Sequence, residues 1–485
     1  MAEIIARKRE QSELKRLYDS GKAEFVVVYG RRRVGKTYLV REYFSGNFDF
    51  YHTALSPYDK EGAKTTTAQQ LQCFHSSLVR FGDSNPLVPK DWLEALERLR
   101  DLVEGRLNKG KRTVVFIDEL PWLDIAKSGF VPAFEHFWNG WGAGCQDLIL
   151  IVCGSATTWI HDTFLDNTGG LYNRITAEIR VSPFSLSECE DFYRSRSVEI
   201  SRYDQLQYYM ILGGVPYYMD YLRRGESLAA NIDSLFFNKD SRLRNEFDRL
   251  FASLFKKPEG YKELVRFLAG SRAGYTREEI TSGTSYSSGG GLTEALAALE
   301  ASDFILKYRP FAAKKGEEKY KLIDGFLLFY LKFVDGVSKK NSGYWQRFEN
   351  TSKLTSWRGL SFENLCFNHI PQIKNALGIS GVYTEESAWI RQGNDIMRGA
   401  QIDMLIDRDD RIINLCEMKF VLGDYSVSKE EEAKLQNRKA ALYESGTKKA
   451  VNLVLVTTYG LKQNAHSAVF QKVVTMEDLF CPQKG

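Results

Sequence analysis

Residues 25–40 read FVVVYGRRRVGKTYLV, and the fold turns on how that stretch is parsed. Phe25 to Tyr29 is an unbroken β-branched and aromatic run. Such a run predicts a strand buried on both faces, as in a parallel sheet. Past Gly30 the pattern becomes helical, with Leu39, Val40 and Tyr43 of TYLVREYF on one side. Between strand and helix stands Gly30-x-x-x-x-Gly35-Lys36-Thr37, and strand, glycine loop and helix in that order are what a phosphate-binding loop requires. The glycines permit tight turns. The amides from Val34 to Thr37 then point at phosphate oxygens, with the helix dipole behind them. Lys36 is placed for the β- and γ-phosphates and Thr37 for Mg²⁺. Arg31, Arg32 and Arg33 read as a solvated loop edge.

Further along, TVVFIDELPWL (113–123) is a second apolar strand, ending in two acids. Asp118 is placed to hold the Mg²⁺ water shell and Glu119 to polarise the attacking water as a general base. A third strand, DLILIVCGSA (147–156), ends in Gly154 and Ser155. A polar residue there is either a sensor of the γ-phosphate or part of a plain strand-to-helix turn. In GGLYNRITAEIRVSPFSLSE (169–188), Arg174 follows a glycine-rich loop. It is either a charge-stabilising arginine acting in trans or a surface residue.

Taken together, GRRRVGKT, VVFIDELPWL, IVCGSA, LYNRI and ILGGVPYYM (211–219) resemble the archaeal-type AAA+ ATPases of the STAND group, over about residues 1–235. The resemblance implies ATP as the nucleotide, with Gly30, Arg33, Val34, Gly35, Lys36, Thr37 and Tyr38 around it. It implies catalytic roles for Lys36, Glu119 and Arg174. It also implies that IIARKREQSELKRL packs near the adenine, with Ala6 where the family carries glycine. The Gly213, Gly214, Pro216 motif would begin the helical part, Pro216 either lining the base or breaking a helix.

Residues 236–338 have a different rhythm. YKELVRFLA, YTREEI with Thr276 as N-cap, and a helix carrying Leu292, Leu296 and Leu299 precede two strands, ILKYRPF and EKYKLID. Three helices and a β-ribbon are the order of a winged helix. Its third helix shows Glu294 and Glu300, so Lys314, Lys315 and Lys319 on the wing are the better phosphate contacts. The alternative is a winged helix that packs on protein as a lever.

In the last third, RGAQIDMLIDRDDRIINLCEMKF (398–420) reads as a hairpin. Glu417 and Lys419 share a face of the second strand, and Asp403 faces them across the ladder. Two carboxylates and a lysine suit metal-dependent phosphodiester hydrolysis. Asp403 and Glu417 would hold one or two Mg²⁺ or Mn²⁺ ions, with Lys419 positioning the water. Glu363, in the helix WRGLSFENLCFNHI (357–370), is a third candidate carboxylate. A helix, SKEEEAKLQNRKAALY, and a buried strand, AVNLVLVTTYG, follow; Gln436 and Lys439 on that helix are either DNA contacts or a solvated face. This order of elements over residues 339–485 resembles the PD-(D/E)XK nuclease fold and the C-terminal domain of unknown function that follows this ATPase type.

The expected fold class is α/β: a P-loop NTPase parallel sheet with a helical lid (1–235), a winged helix (236–338) and a PD-(D/E)XK restriction-endonuclease-like domain (339–485). The 485 residues suffice for roughly three domains of about 150 each. A net charge of +4 excludes a bulk polycation, so any DNA surface must be local. Seven cysteines without C-x-x-C and six histidines without H-x(3–5)-H argue against a zinc site and for free thiols in a reducing cytoplasm. The N-terminus lacks an apolar core segment, and no apolar run approaches 18 residues, so neither a signal peptide nor a membrane span is expected. The functional expectation is an ATPase coupled to a DNA-binding or DNA-cleaving domain, with homo-oligomers possible in principle. The competing classes are a STAND-type nucleotide switch governing protein assembly and a DNA-binding regulator acting through the winged helix.

Overall fold

The computed structural model of the chain describes residues 4–58, 62–107, 110–155, 157–165, 170, 173–255, 257–313, 316–337, 343–348, 351–391 and 400–482. They pack as two compact units, Met1–Ser182 and Pro183–Gly485.

The first unit is built on five strands: β1 (Glu24–Tyr29), β2 (Phe50–Thr53), β3 (Thr113–Asp118), β4 (Leu148–Gly154) and β5 (Ala177–Arg180). They pair all-parallel in the order β2-β3-β4-β1-β5. Every residue of β1, β3 and β4 is buried. The apolar run at 25–29 is continuous because alternate side chains feed two cores. Phe25, Val27 and Tyr29 pack on one face with α3 (Thr67–Arg80), α4 (Trp92–Glu104) and α5 (Phe130–Gly140). Val26 and Val28 enter the other, with Leu14 and Leu17 of α1 (Lys8–Tyr18) and Leu39 and Val40 of α2 (Lys36–Tyr43). Full burial of one such side chain is worth about 1.5–3 kcal/mol, so this strand anchors both layers.

Helix ends follow their capping chemistry. Thr66 and Gln69 form a capping box at the start of α3, and Asp91 caps α4 through the amide of Glu94. Arg31 departs from the solvated-edge expectation. It is only 1% exposed, because it leaves β1 before the loop has reached solvent.

The second unit opens with helices Leu186–Ser195, Arg202–Leu212 and Pro216–Met219. Gly213 and Gly214 turn the chain at φ 65° and 66°, and Pro216 takes the first position of the next helix, where it lacks no needed donor. A small antiparallel sheet follows, ordered β6-β8-β7, from β6 (Tyr275–Thr276), β7 (Ile305–Tyr308) and β8 (Lys319–Leu322). Helices Pro258–Leu268, Arg277–Gly283 and Gly290–Ala301 accompany it. Thr276 is the expected N-cap, in a capping box with Glu279, and Leu292, Leu296 and Leu299 are buried. Lys314 and Lys315 lie outside the described residues.

A second five-stranded sheet is ordered β13-β12-β11-β10-β9. Its strands are β9 (Thr384–Arg391), β10 (Ala400–Arg408), β11 (Ile412–Lys419), β12 (Ala450–Thr457) and β13 (Lys472–Val474). The first three form an antiparallel meander and β12 and β13 continue parallel. The helix Ser352–Asn368 precedes the meander, and the helix Lys429–Glu444, capped by Ser428 with Glu431, makes the crossover to β12. Such a crossover is what a parallel pair requires.

His369, at the end of the helix Ser352–Asn368, is fully buried. Its Nε2 accepts from the Leu186 amide at 3.1 Å and its Nδ1 contacts the Leu365 carbonyl at 2.8 Å. Burial pulls its pKa down to about 4. The unfolded chain therefore binds a proton that the folded chain does not between about pH 6.5 and 4. Stability is intact above that window and falls as pH drops through it, by on the order of 1.4 kcal/mol per pH unit. Urea midpoints from pH 7 to 4 should show this slope in the wild type, and a slope unchanged in His369→Gln would refute the assignment.

Gly30, at φ 143°, generates a second expectation, because a Cβ there would collide with the Val181 carbonyl. Gly21, at φ 65°, has open space where a Cβ would go. Gly21→Ala should cost about 1 kcal/mol from backbone strain alone. Gly30→Ala should cost clearly more, and equal losses in urea unfolding would be inconsistent with the packing role.

Candidate functional site

The parallel strands of the first unit all end at one edge, and the candidate nucleotide-binding residues gather there. Two residues reach their conformations only in the left-handed region: Arg33 at φ 74° and Gly35 at φ 90°, the latter as N-cap of α2. They bend the loop so that Lys36 begins the helix. Lys36 is 6% exposed, and its Nζ donates to the carbonyls of Gly30 at 2.9 Å and Arg31 at 3.0 Å. Val34 is buried and Tyr38 is 47% exposed on the outer side of the first turn.

The segment before β1 is tied to the same loop. Arg7 donates to the Val34 carbonyl at 3.1 Å and pairs with Glu10 at 3.5 Å. Ala6 and Arg7 sit at φ 62° and 57°. Ala6 thus holds a backbone conformation that favours glycine.

Thr37 Oγ1 lies 3.0 and 3.1 Å from the two carboxylate oxygens of Asp118. Burial and the adjacent Glu119 push the Asp118 carboxyl up to about 6, against the Thr37 hydroxyl that holds it down. A hydroxyl and a carboxylate, both hard oxygen donors meeting beside a phosphate loop, fit Mg²⁺. Glu119 turns back at φ 51°. Its carboxylate accepts from the Ser155 amide at 3.2 Å and from the Ser155 hydroxyl at 3.0 Å. The end of β4 therefore orients the candidate base, a pairing that the strand pattern alone did not specify.

Arg174 stands apart from this group. It is exposed in the turn before β5, at the edge where the parallel strands begin. About six residues of strand, roughly 20 Å, separate that edge from the loop. Pro216 belongs to the second unit.

In the second unit the β10–β11 ladder runs from Asp407 with Ile413 to Met404 with Cys416, and the β9–β10 register shifts between Ile402 and Leu405, beside Asp403. The candidate acids meet different partners. Glu417 is ion-paired to Lys419 at 2.9 Å and to Arg438 of the helix Lys429–Glu444. Glu363, 5% exposed, is ion-paired to Arg272. Asp403 accepts from Gln401 at 2.7 Å and feels the charges of Glu363 and of Lys321 on β8. Burial raises the Glu363 carboxyl and lowers the Lys321 ammonium from their ordinary values. No group of three metal-binding side chains occurs among the described residues. As placed, Asp403, Glu417 and Glu363 do not fit a shared divalent ion. Arg272, Lys321 and Arg438 escaped sequence reading, since nothing local marks a cation whose partner is 21 to 91 residues away. On the helix that carries Arg438, Gln436 is exposed and Lys439 half-buried.

Residues 5–222 match the family model of an ATPase domain predominantly from Archaea. An uncharacterized protein of Methanocaldococcus jannaschii is 23% identical over 401 residues, 81% of this chain and 83% of the relative. An uncharacterized ATP-binding protein of the same organism is 44% identical over 40 residues, 8% of this chain and 68% of the relative. Among solved structures, a Walker-type ATPase of Pyrococcus abyssi is 18% identical, covering 68% of this chain and 96% of that one, with a TM-score of 0.46. The Aeropyrum pernix ORC2 protein is 13% identical, covering 69% of this chain and 94% of that one, with a TM-score of 0.40. Among the described residues no helix is long and apolar enough to cross a membrane.

The orientation of Glu119 yields a kinetic expectation. Glu119→Gln keeps the shape and removes the base, so ATP should bind within about threefold of wild type while hydrolysis falls by about 10²–10⁴. Equilibrium binding of a fluorescent ATP analogue and phosphate release would measure the two. Undiminished hydrolysis would remove Glu119 from the mechanism.

Proposed function

We propose that this chain is a Mg²⁺-dependent P-loop ATPase whose nucleotide cycle governs a DNA-binding or DNA-cleaving C-terminal region. The observation that carries the ATPase reading is the convergence of Lys36, Thr37, Asp118 and Glu119 at one sheet edge, within the segment that matches an archaeal ATPase domain. Gly30, Arg33, Val34, Gly35, Lys36, Thr37 and Tyr38 surround the phosphates, and Thr37 and Asp118 would hold the metal. When bound, Mg²⁺ neutralises charge on the β- and γ-phosphates. Lys36 places its ammonium against the same phosphates. Glu119, aimed by Ser155, takes the proton from the attacking water. Arg174 is exposed at the far edge and is assigned to a neighbouring copy in a homo-oligomer, while Pro216 opens the helical segment after the ATPase core.

The proposed divisions are 1–235, 236–338 and 339–485. Three helices with the β6-β8-β7 sheet support a winged helix for the second. A helix, an antiparallel meander, a crossover helix and a parallel strand support a PD-(D/E)XK nuclease fold for the third, with Asp403, Glu417, Glu363 and Lys419 as its site. Seven scattered cysteines support a cytoplasmic setting.

One observation favours a second reading. The acids of the C-terminal sheet are satisfied by Arg272, Lys419 and Arg438 rather than grouped for a metal. A STAND-type switch, with the C-terminal fold used for binding, would look the same.

The test is a cleavage assay on plasmid and single-stranded DNA with Mg²⁺ or Mn²⁺, with and without ATP, alongside ATP hydrolysis. Lys36→Ala should abolish ATP turnover, and Lys419→Ala should abolish cutting while sparing turnover. Turnover with no cutting by any variant would leave the switch reading. No turnover by wild type would defeat the ATPase reading itself.

A further inference from the structure

We propose that the segment following the Gly213–Gly214 turn carries a binding surface for single-stranded nucleic acid: Tyr217 stacks on an unpaired base, and Arg242, Arg224 and Lys239 take the neighbouring phosphates. It deepens the DNA-binding half of the proposed function and rests on that half for the class of partner.

The stretch PYYMDYLRR (216–224) divides its aromatic residues between two sides of the chain. Tyr218 faces inward and is fully buried. Its hydroxyl donates to Glu246 at 3.2 Å, and its ring lies 4.9 Å from that of Phe326. Met219 and Leu222 are buried with it. Tyr217 and Tyr221 take the other side. Their ring centroids are 5.1 Å apart at 81°, an edge-to-face contact of the kind aromatic pairs prefer. That contact orients the Tyr217 ring without covering it, since Tyr217 remains 40% exposed.

Cations stand beside this pair on fixed backbone. The Arg242 guanidinium lies 4.9 Å over the Tyr221 ring. The turn before it is held by the Ser241 amide on the Asn238 carbonyl at 3.2 Å and by the Leu243 amide on the Leu235 carbonyl at 3.0 Å. Leu243 is buried, so Arg242 projects outward. Arg224 stands on a second fixed turn. There the buried Asn231 accepts from the Arg223 amide at 2.8 Å and donates to the Arg223 and Glu226 carbonyls at 3.3 Å.

The charge of the surface is positive because its acids are largely engaged. Of the exposed acids between residues 216 and 249, Asp220 pairs with Arg196 at 2.9 Å, Glu226 with Arg223 at 3.4 Å and Asp248 with Lys262 at 2.7 Å. Asp240 remains. Arg224, Lys239 and Arg242 are exposed, and no ion pair engages them among the described residues. An oriented aromatic ring beside such cations suits an unstacked base and its backbone, because every base offers a π-face and every phosphate a charge. A duplex keeps its base faces within the stack, so the ring selects single strands. The winged-helix and nuclease-like readings give none of these residues a role.

The probe is fluorescein-labelled oligothymidylate, followed by anisotropy with the full chain in EDTA and without nucleotide, so that neither cutting nor turnover intervenes. Tyr217→Ala should weaken binding at least about fivefold, and Tyr217→Phe, which keeps the ring, should bind like wild type. Arg242→Ala should flatten the slope of log affinity against log salt by about 0.7. Labelled oligouridylate tells RNA from DNA as the source of the strand, and the same losses on either uphold the surface. Wild-type affinity in Tyr217→Ala, even with a loss in Arg242→Ala, would overturn the proposal while leaving DNA binding to another part of the chain. Tyr217→Ala that loses a fluorescent ATP analogue but keeps oligothymidylate would give the ring to the nucleotide and overturn it too. No binding of single strands by wild type would do the same, and duplex binding in that case would preserve the DNA-binding reading. Losses as expected in a chain that never cuts DNA would uphold the surface and defeat the nuclease reading alone.

Discussion

The hydroxyl of Thr37 against the carboxylate of Asp118 is the contact on which the first unit is organised. The two residues are 81 positions apart and sit on elements that never pair, since β4 lies between β1 and β3. Strands spaced by about 4.8 Å put those two ends roughly 10 Å apart. The gap closes only because the loop after β1 bends back over the sheet edge through Gly30, Arg33 and Gly35. Gly30 must approach Val181 closely for that bend to form. The strained loop is affordable because β1 is buried on both faces and is held by β4 on one side and β5 on the other. Rigidity of the sheet thus becomes precision at its edge.

Charge in low dielectric governs the second unit. Acids removed from water need cations or donors nearby. Glu363 finds Arg272 and Glu417 finds Lys419 and Arg438. The pairings with Arg272 and Arg438 span 91 and 21 residues, so they report tertiary assembly, while Lys419 lies two residues from Glu417 on the same strand. They also decide what the acids are free to do, since a carboxylate engaged by a guanidinium has less to offer a metal. The first unit differs in this respect, for Asp118 meets the neutral hydroxyl of Thr37 rather than a guanidinium.

Much of the secondary structure was legible because its causes are local. The doubly buried β1 announced itself as an apolar run without alternation. Thr276 marked a helix start, and QIDMLID followed by RIINLCEMKF marked a hairpin, paired antiparallel from Met404 with Cys416 to Asp407 with Ile413. The phosphate loop was legible for the same reason, since glycine spacing, lysine and threonine are contiguous. Arg31 was misjudged, because burial depends on where the strand ends relative to its neighbours, and a sequence window does not contain those neighbours. Ser155 left two readings open at the sequence level. Its hydrogen bonds to Glu119 required the 36-residue separation to close.

The sequence by itself determined the strands and helices, their caps, the glycine loop and the identity of the acids and cations available. These rest on interactions spanning four residues or fewer, or on simple alternation. Only the tertiary structure decided which donor or cation each acid meets: Thr37 with Asp118, Ser155 with Glu119, Arg272 with Glu363, Arg438 with Glu417. Those choices depend on long-range chain closure and on the shared exclusion of water, and neither leaves a periodic trace in the chain.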